Sequence, residues 1–207
     1  MKKKSHISLA KLLVRNMKVQ DLSEHKKAFY IGSILPDLKP SFFTKRHTIE
    51  NTFDDLVGEI KKVTTDYDAH KGINAYYARH LGVITHYLAD YCTYPHNSIF
   101  TGTLSEHIQY EKELKSSMKE YVDREETQKE LGKLQTYRSP EEIISFIKWT
   151  HKEYLKALKK VEKDIEYIIY LCHKVVEAII LFFELAQEKI YAGMGNRYNL
   201  KMEYNHA

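Results

Sequence analysis

The chain has 207 residues, 43% of them hydrophobic and 29% charged, which suits one domain with a sizeable core. Its formal charge of +4, from 32 basic and 28 acidic residues, is mild and spread along the chain apart from Lys2, Lys3 and Lys4. That argues against a dedicated DNA-binding domain and remains compatible with a phosphate-bearing substrate.

Cys92 and Cys172 make no disulfide framework, and eight glycines with four prolines leave room for long helices. An all-α protein is expected. Ile7, Leu9, Ala10, Leu12, Leu13 and Val14 predict a first helix with Ser5 as its N-cap. Lys11 and Arg15 interrupt this stretch, so it is not a signal peptide, and a cytoplasmic chain is expected. A polar link, KVQDLSEHKK, leads to the apolar run AFYIGSILPDLKP, where Pro36 and Pro40 stop any helix and leave Asp37 on a fixed loop. A helical period resumes over 49–66 through Ile49, Phe53, Leu56, Ile60 and Val63.

The next helix is expected from about Ile73 to Tyr91, followed by a loop at Pro95 and a further helix from near Leu104. DREETQKELGKLQTYRS is polar and expected at the surface, and Ser139-Pro140-Glu141-Glu142 is a helix start with proline at the first helical position. Helices are expected over about 140–160 and 163–191, with an irregular tail over about 193–207. The late apolar stretch carries His173, Lys174 and Glu177 near its middle. A charge at a bilayer centre costs roughly 2.5–3.5 kcal/mol, so this reads as a core helix, not a transmembrane segment.

The chemistry concentrates in GVITHYLADYCTYPHN, residues 82–97. His86 and Asp90 are four apart and share a helix face, and His107 and Glu111 do the same on the next helix. With His96 on the loop between them, the two pairs can converge on metal, for which imidazole and carboxylate are suited to zinc. HIQYE taken alone reads more simply as a surface hydrogen bond. His86 differs because Val83, Ile84, Tyr87 and Leu88 surround it, and a buried Asp90 needs a partner. Cys92 points away from the His86–Asp90 face and reads as core. Tyr87, Tyr91 and Tyr94 read as the edge of the core.

LGVITHYLADYCTYPHN resembles the signature of the zinc-dependent phospholipase C superfamily, which includes bacterial phospholipases C and related single-strand nucleases. The resemblance rests on Leu81, Gly82, His86, Tyr87, Leu88, Asp90, Pro95 and His96, then His107 and Glu111. Upstream, GSILPD is similar to the family's loop aspartate at Asp37, KRHTIEN supplies His47, and SHISLAKLL supplies His6. The succession covers roughly residues 1–115. It implies a compact multi-helix domain of the phospholipase C/nuclease type, here spanning 1–207.

The resemblance also implies three zinc positions. One uses His96, His107 and Glu111; a second uses Asp37, His47 and His86, with Asp90 as a bridge. The third uses Asp90, His6 and the terminal amine and carbonyl, here those of Met1. The family's mature enzymes generally begin with tryptophan, whereas this chain begins Met-Lys-Lys-Lys. Two zinc ions therefore rest on side chains alone, and a third depends on Met1. The implied catalytic residue is Asp37, orienting or deprotonating a metal-held water.

The implied activity is a metal-dependent phosphoric ester hydrolase, a phosphodiesterase of the phospholipase C type. Its expected partners are a phosphate-ester substrate, phospholipid or nucleotide, and transient contact with a membrane surface. The alternatives are a single-strand nuclease or nucleotidase on the same site, or a non-catalytic zinc-binding helical protein. An HD-type phosphohydrolase is set aside because no His-Asp dipeptide occurs.

Overall fold

The computed structural model describes residues 1–38, 45–123, 137, 139–157 and 159–204. Among them there are helices and turns and no strand, as the all-α expectation requires. In chain order the helices are α1 (Lys3–Met17), α2 (Gln20–Glu24), α3 (Lys26–Ile34), α4 (Ile49–Lys62), α5 (Ala75–Tyr91), α6 (Leu104–Asp123), α7 (Pro140–Lys156) and α8 (Val161–Tyr204).

α5 is the centre of the molecule, packed by α3, α4, α1 and α8. Its start is fixed by Asn74, whose Oδ1 accepts from the backbone N–H of Tyr76 at 2.9 Å and of Tyr77 at 3.3 Å. From Leu81 to Tyr91 every residue is buried, so a helix apolar on most faces is satisfied by neighbours on most faces. Leu9, Leu12 and Leu13 of α1, Leu56 and Ile60 of α4, and Ile168, Leu171 and Val175 of α8 join α5 in one core. Fully burying each such side chain contributes about 1.5–3 kcal/mol.

The contact between α3 and α5 is closer than ordinary side chains permit. A Cβ on Gly82 would collide with the carbonyl oxygen of Phe29 and stand 2.8 Å from the Ser33 nitrogen. A Cβ on Gly32 would collide with the Arg79 carbonyl. The two glycines let backbone meet backbone, which sets Ser33 and the residues after it against the His86 turn of α5.

Several boundaries differ from those expected. α1 starts at Lys3 because the Lys2 carbonyl already accepts from Ser5 N–H at 2.8 Å, so Ser5 lies inside the first turn and is no cap. The polar link contains α2, and the apolar run after it forms α3, whose Phe29, Gly32 and Ser33 bury against the core before Pro36 opens a 3-10 turn holding Asp37. The expected irregular tail is helical as far as Tyr204. Gly193 and Gly195 each cost a helix about 1 kcal/mol, but no proline removes a donor or clashes with the preceding turn.

α7 begins as the sequence implies, with Ser139 Oγ accepting from Glu142 N–H at 3.3 Å. α6 begins on a reciprocal cap between Thr103 and Glu106. Pro40 and most of the polar stretch 123–139 lie outside the described residues. No helix among the described residues is long and apolar enough to cross a membrane.

Candidate metal centre

His86 is fully buried at the middle of α5. Its Nδ1 stands 2.9 Å from the carbonyl oxygen of Ser33. A carbonyl only accepts, so Nδ1 donates a proton to it, which in a neutral ring leaves the lone pair on Nε2. That oxygen is free because it lies in the last turn of α3, where carbonyls lack intrahelical partners. Nε2 faces His47 Nδ1 at 2.9 Å, Asp90 Oδ2 at 3.3 Å and Asp37 Oδ1 at 3.7 Å. His47 arrives just ahead of α4, and Asp37 arrives on the turn that Pro36 begins.

His6, on the first turn of α1, stacks on His86 with ring centroids 4.0 Å apart. Both its ring nitrogens are buried without a hydrogen-bond partner among the described residues. Leaving one such atom unsatisfied costs about 1–3 kcal/mol. Burial, and then the neighbouring His86, lower its pKa to about 3, so the ring stays in its neutral, ligating form.

Asp90 joins two neighbourhoods. Its Oδ2 lies 3.2 Å from His47 Nδ1 and 3.3 Å from His86 Nε2. Its Oδ1 lies 2.6 Å from the Met1 amine, 3.4 Å from His6 Nε2 and 3.7 Å from His96 Nδ1. Burial alone would raise its pKa; the Met1 amine, His96, His86 and His6 outweigh that and hold it well below the usual carboxylate range. For Asp37 the balance goes the other way: burial dominates and raises its pKa.

A second group lies nearer the surface. His107 and Glu111 project from one face of α6, and His96 ends the short turn Tyr94–His96. Glu111 Oε1 is 3.3 Å from His96 Nε2, 3.5 Å from His107 Nε2 and 3.2 Å from the Met1 amine. Against the opposing effect of burial, hydrogen bonds from His107 and His96 and the nearby amine lower the Glu111 pKa strongly. The Met1 amine also reaches His96 Nε2 at 2.9 Å, so it stands between the inner and outer groups.

The turn that carries His96 is tied down from two sides. Asn97 Nδ2 donates to the carbonyls of Thr93 at 2.9 Å and Tyr91 at 3.2 Å, while its Oδ1 accepts from His151 Nε2 at 2.8 Å. Asp164, at the start of α8, accepts from Tyr94 N–H at 2.8 Å, Tyr110 Oη–H at 2.9 Å and Tyr154 Oη–H at 2.8 Å. Neither residue stands out in the sequence. An aspartate in the first turn of a helix reads as a response to the helix dipole, and Asn97 reads as a loop residue.

Every side chain expected at the centre is brought there: His6, Asp37, His47, His86, Asp90, His96, His107 and Glu111. Three sets have ligand atoms within 4.8 Å of one another: His6 with Asp37 and His86, His47 with His86 and Asp90, and His96 with His107 and Glu111. The last matches the expected outer set. In the inner half His86 belongs to two sets, so His6 stands beside Asp37 and His86 as well as beside Asp90. This donor set of imidazoles and carboxylates, with a carbonyl at His86 Nδ1 and buried His6 ring nitrogens that make no hydrogen bond among the described residues, fits zinc.

Of the other candidates, Tyr87 packs edge-on against the rings of His47 and His86, with centroids 5.7 and 5.6 Å apart. Cys92 is packed in the core, where burial pushes its thiol pKa well up. Tyr87 and Tyr91 are buried, and Tyr94 packs on Phe100 and Tyr110. His80 pairs with Glu59 of α4.

A family model described as zinc-dependent phospholipase C matches residues 5–161. The chain belongs to this family. The matched span takes in every side chain of both groups, from His6 to Glu111, and also α7 and the start of α8. Comparisons with curated proteins and with solved structures gave no match. The centre opens on a cleft of about 1200 Å³ lined by Asp37, His47, His96, His107 and Glu111, while His6, His86 and Asp90 are buried behind them.

Proposed function

We propose that the chain is a zinc-dependent phosphodiesterase of the phospholipase C type, hydrolysing a phosphate ester with water as nucleophile. The observation that carries this reading is Asp90, whose two oxygens face different sets of ligand atoms, as a carboxylate bridging two ions must. His96, His107 and Glu111 would hold one ion and Asp37, His47 and His86 a second, with Asp90 directing Oδ2 to that second position and Oδ1 to a third. His6 would contribute to a third position beside Asp90 Oδ1, which the Met1 amine could complete only after giving up the proton it now directs at Asp90.

Bound zinc supplies a water of lowered pKa and positive charge for the phosphoryl oxygens. The protein does the rest. Ser33 fixes the His86 tautomer, Asp164 and Asn97 hold the turn that carries His96, and the α3–α5 contact keeps Asp37 at the cleft floor. Asp37 lines that floor and orients the attacking water, taking its proton. No serine or cysteine nucleophile is required.

The test combines metal analysis of tag-free protein with hydrolysis of dihexanoyl phosphatidylcholine and of a single-stranded oligonucleotide. Two or more zinc ions per chain and release of diacylglycerol support the phospholipase reading. Cleavage of the oligonucleotide alone makes the protein a nuclease. A single tightly held zinc with neither activity makes the site structural and overturns the proposal.

A further inference from the structure

Cations crowd the mouth of the cleft. Lys2, Lys3 and Lys4 line it from the start of α1, Lys45 and Arg46 from the approach to α4, and Lys115 from α6. Apart from the carboxylates of the metal centre, Glu50 is the acid among the described lining residues. Lys45 pairs with Asp55 at 2.5 Å, while Lys3, Lys4, Arg46 and Lys115 are exposed. The three lysines sit at a helix N-terminus that has no acid in its first turn. The helix dipole disfavours cations there, so their placement costs the fold stability.

The same rim carries aliphatic side chains in the open. Leu104 lines the cleft and is 75% exposed, the most of any large hydrophobic residue described. Ile108, one turn further along α6, is 42% exposed, and Ile99 is exposed beside Phe100, whose ring meets that of His107. On a helix, positions 104, 107, 108, 111 and 115 share one side, so the two aliphatics and Lys115 flank the ligands His107 and Glu111. Single exposed aliphatics are ordinary; here they gather with cations around one opening.

From this combination we propose that the cleft mouth docks on an anionic phospholipid surface, Leu104 and Ile108 entering the acyl boundary while the lysines and Arg46 meet lipid phosphates. The inference rests on the phosphodiesterase reading and deepens it: the preferred substrate is a phospholipid presented in a negatively charged bilayer. A single-stranded nucleic acid would match the charge but needs ring faces on which bases stack. Phe100 is the aromatic side chain among the described lining residues, apart from histidines, and exposed leucine and isoleucine offer bases nothing. Buried in a lipid surface, they gain apolar contact that water denies them.

The test is flotation of zinc-loaded full-length protein with phosphatidylcholine vesicles and with vesicles containing about one-third phosphatidylglycerol, the anionic content that generates the surface potential. The native chain floats with the anionic vesicles and releases as salt is raised. Lys3→Gln and Lys115→Gln each weaken that binding about fivefold, the effect of one basic residue near an anionic surface. Leu104→Ser with Ile108→Ser weakens it while leaving the salt dependence in place. Helicity of each variant is checked by circular dichroism.

Equal binding to both vesicle types, or lysine variants that float like the native chain, overturns the proposal. So does binding to a single-stranded oligonucleotide without binding to either vesicle. The two readings fail separately. Flotation without hydrolysis of dihexanoyl phosphatidylcholine, of the vesicle lipids or of the oligonucleotide sinks the phosphodiesterase and leaves the surface standing; hydrolysis without flotation does the reverse.

Discussion

The inner and outer halves of the metal centre use the same chemical groups but are held by different means. The inner half, His6, Asp37, His47, His86 and Asp90, is buried and set by helix packing: α3 against α5 across Gly32 and Gly82, with Ser33 fixing His86. The outer half, His96, His107 and Glu111, is partly exposed, with the His107 side chain 30% accessible, and hangs on one face of α6 and a short turn. Preorganisation therefore differs although ligand chemistry does not. Rigid, dehydrated ligands bind an ion with little reorganisation, whereas exposed ones must be ordered when it arrives. The inner half should hold metal more tightly and exchange it more slowly.

The largest effect tests what the halves share. Asp90→Asn removes the charge that both face, so zinc content should fall in both halves and hydrolysis should drop by about 10²–10³-fold or more, the scale of losing one preorganised electrostatic group. Metal analysis beside kcat/KM checks this; full zinc content in the variant would remove Asp90 from the centre.

Gly82→Ala attacks the inner half through packing alone. Overpacking at a backbone contact should cost about 3 kcal/mol or more. For a chain of this size that lowers Tm by roughly 6–12 °C. Gly58, where an added Cβ meets nothing within 4 Å, is the control, and Gly58→Ala should stabilise α4 by about 0.5–1 kcal/mol. Equal outcomes for the two glycines would show that the α3–α5 contact is not tight.

His107→Ala should separate the halves. It removes an outer ligand only, so the variant should lose the readily exchanged zinc and keep the inner ion. In the native chain, a chelator should strip zinc in two phases, and the variant should lack the fast one. Loss of all zinc from the variant would show that the halves bind as one unit.

The smallest effect concerns how the outer turn is anchored. Burial raises the Asp164 carboxyl to a pKa of about 6 against a reference of 3.8, despite three hydrogen bonds from Tyr94, Tyr154 and Tyr110. The folded state thus binds this proton more tightly than the unfolded chain. Its contribution is fully present below about pH 4 and lost as pH rises through 6. Asp164→Asn cannot lose it, so its stability relative to the native chain should rise between pH 4 and 7, by at most ~3 kcal/mol. Urea unfolding of both chains at the two pH values measures this, and a difference independent of pH would refute it.

The spacing of residues 81–96 and of His107 with Glu111 is local, and an α-helix converts local spacing into a shared face. For that reason GVITHYLADYCTYPHN was enough to place His86 and Asp90 on one side of a buried helix. Its order relative to His6, Asp37 and His47 made the family legible. Asn74, Ser139-Pro140 and the breaks at Pro36 and Pro95 likewise act through near neighbours, so most helices were readable in advance. The tail was misread because Gly193 and Gly195 weaken a helix without ending one, whereas proline removes a hydrogen bond.

Other features had no local signal. That Gly82 is the point where α5 meets α3 depends on a chain fifty residues away, and so does the Ser33 carbonyl that selects the His86 tautomer. Asp164 reaches Tyr94, Tyr110 and Tyr154 from three separate segments, and no periodicity along the chain links them. By itself the sequence determined the fold class, the types of the candidate ligands and which of them share a helix face, because these follow from neighbours within a turn or two. Tertiary structure alone decided which ligands are buried, where the Met1 amine lies and what fixes each ring, because burial and hydrogen-bond partnership arise between segments distant in sequence.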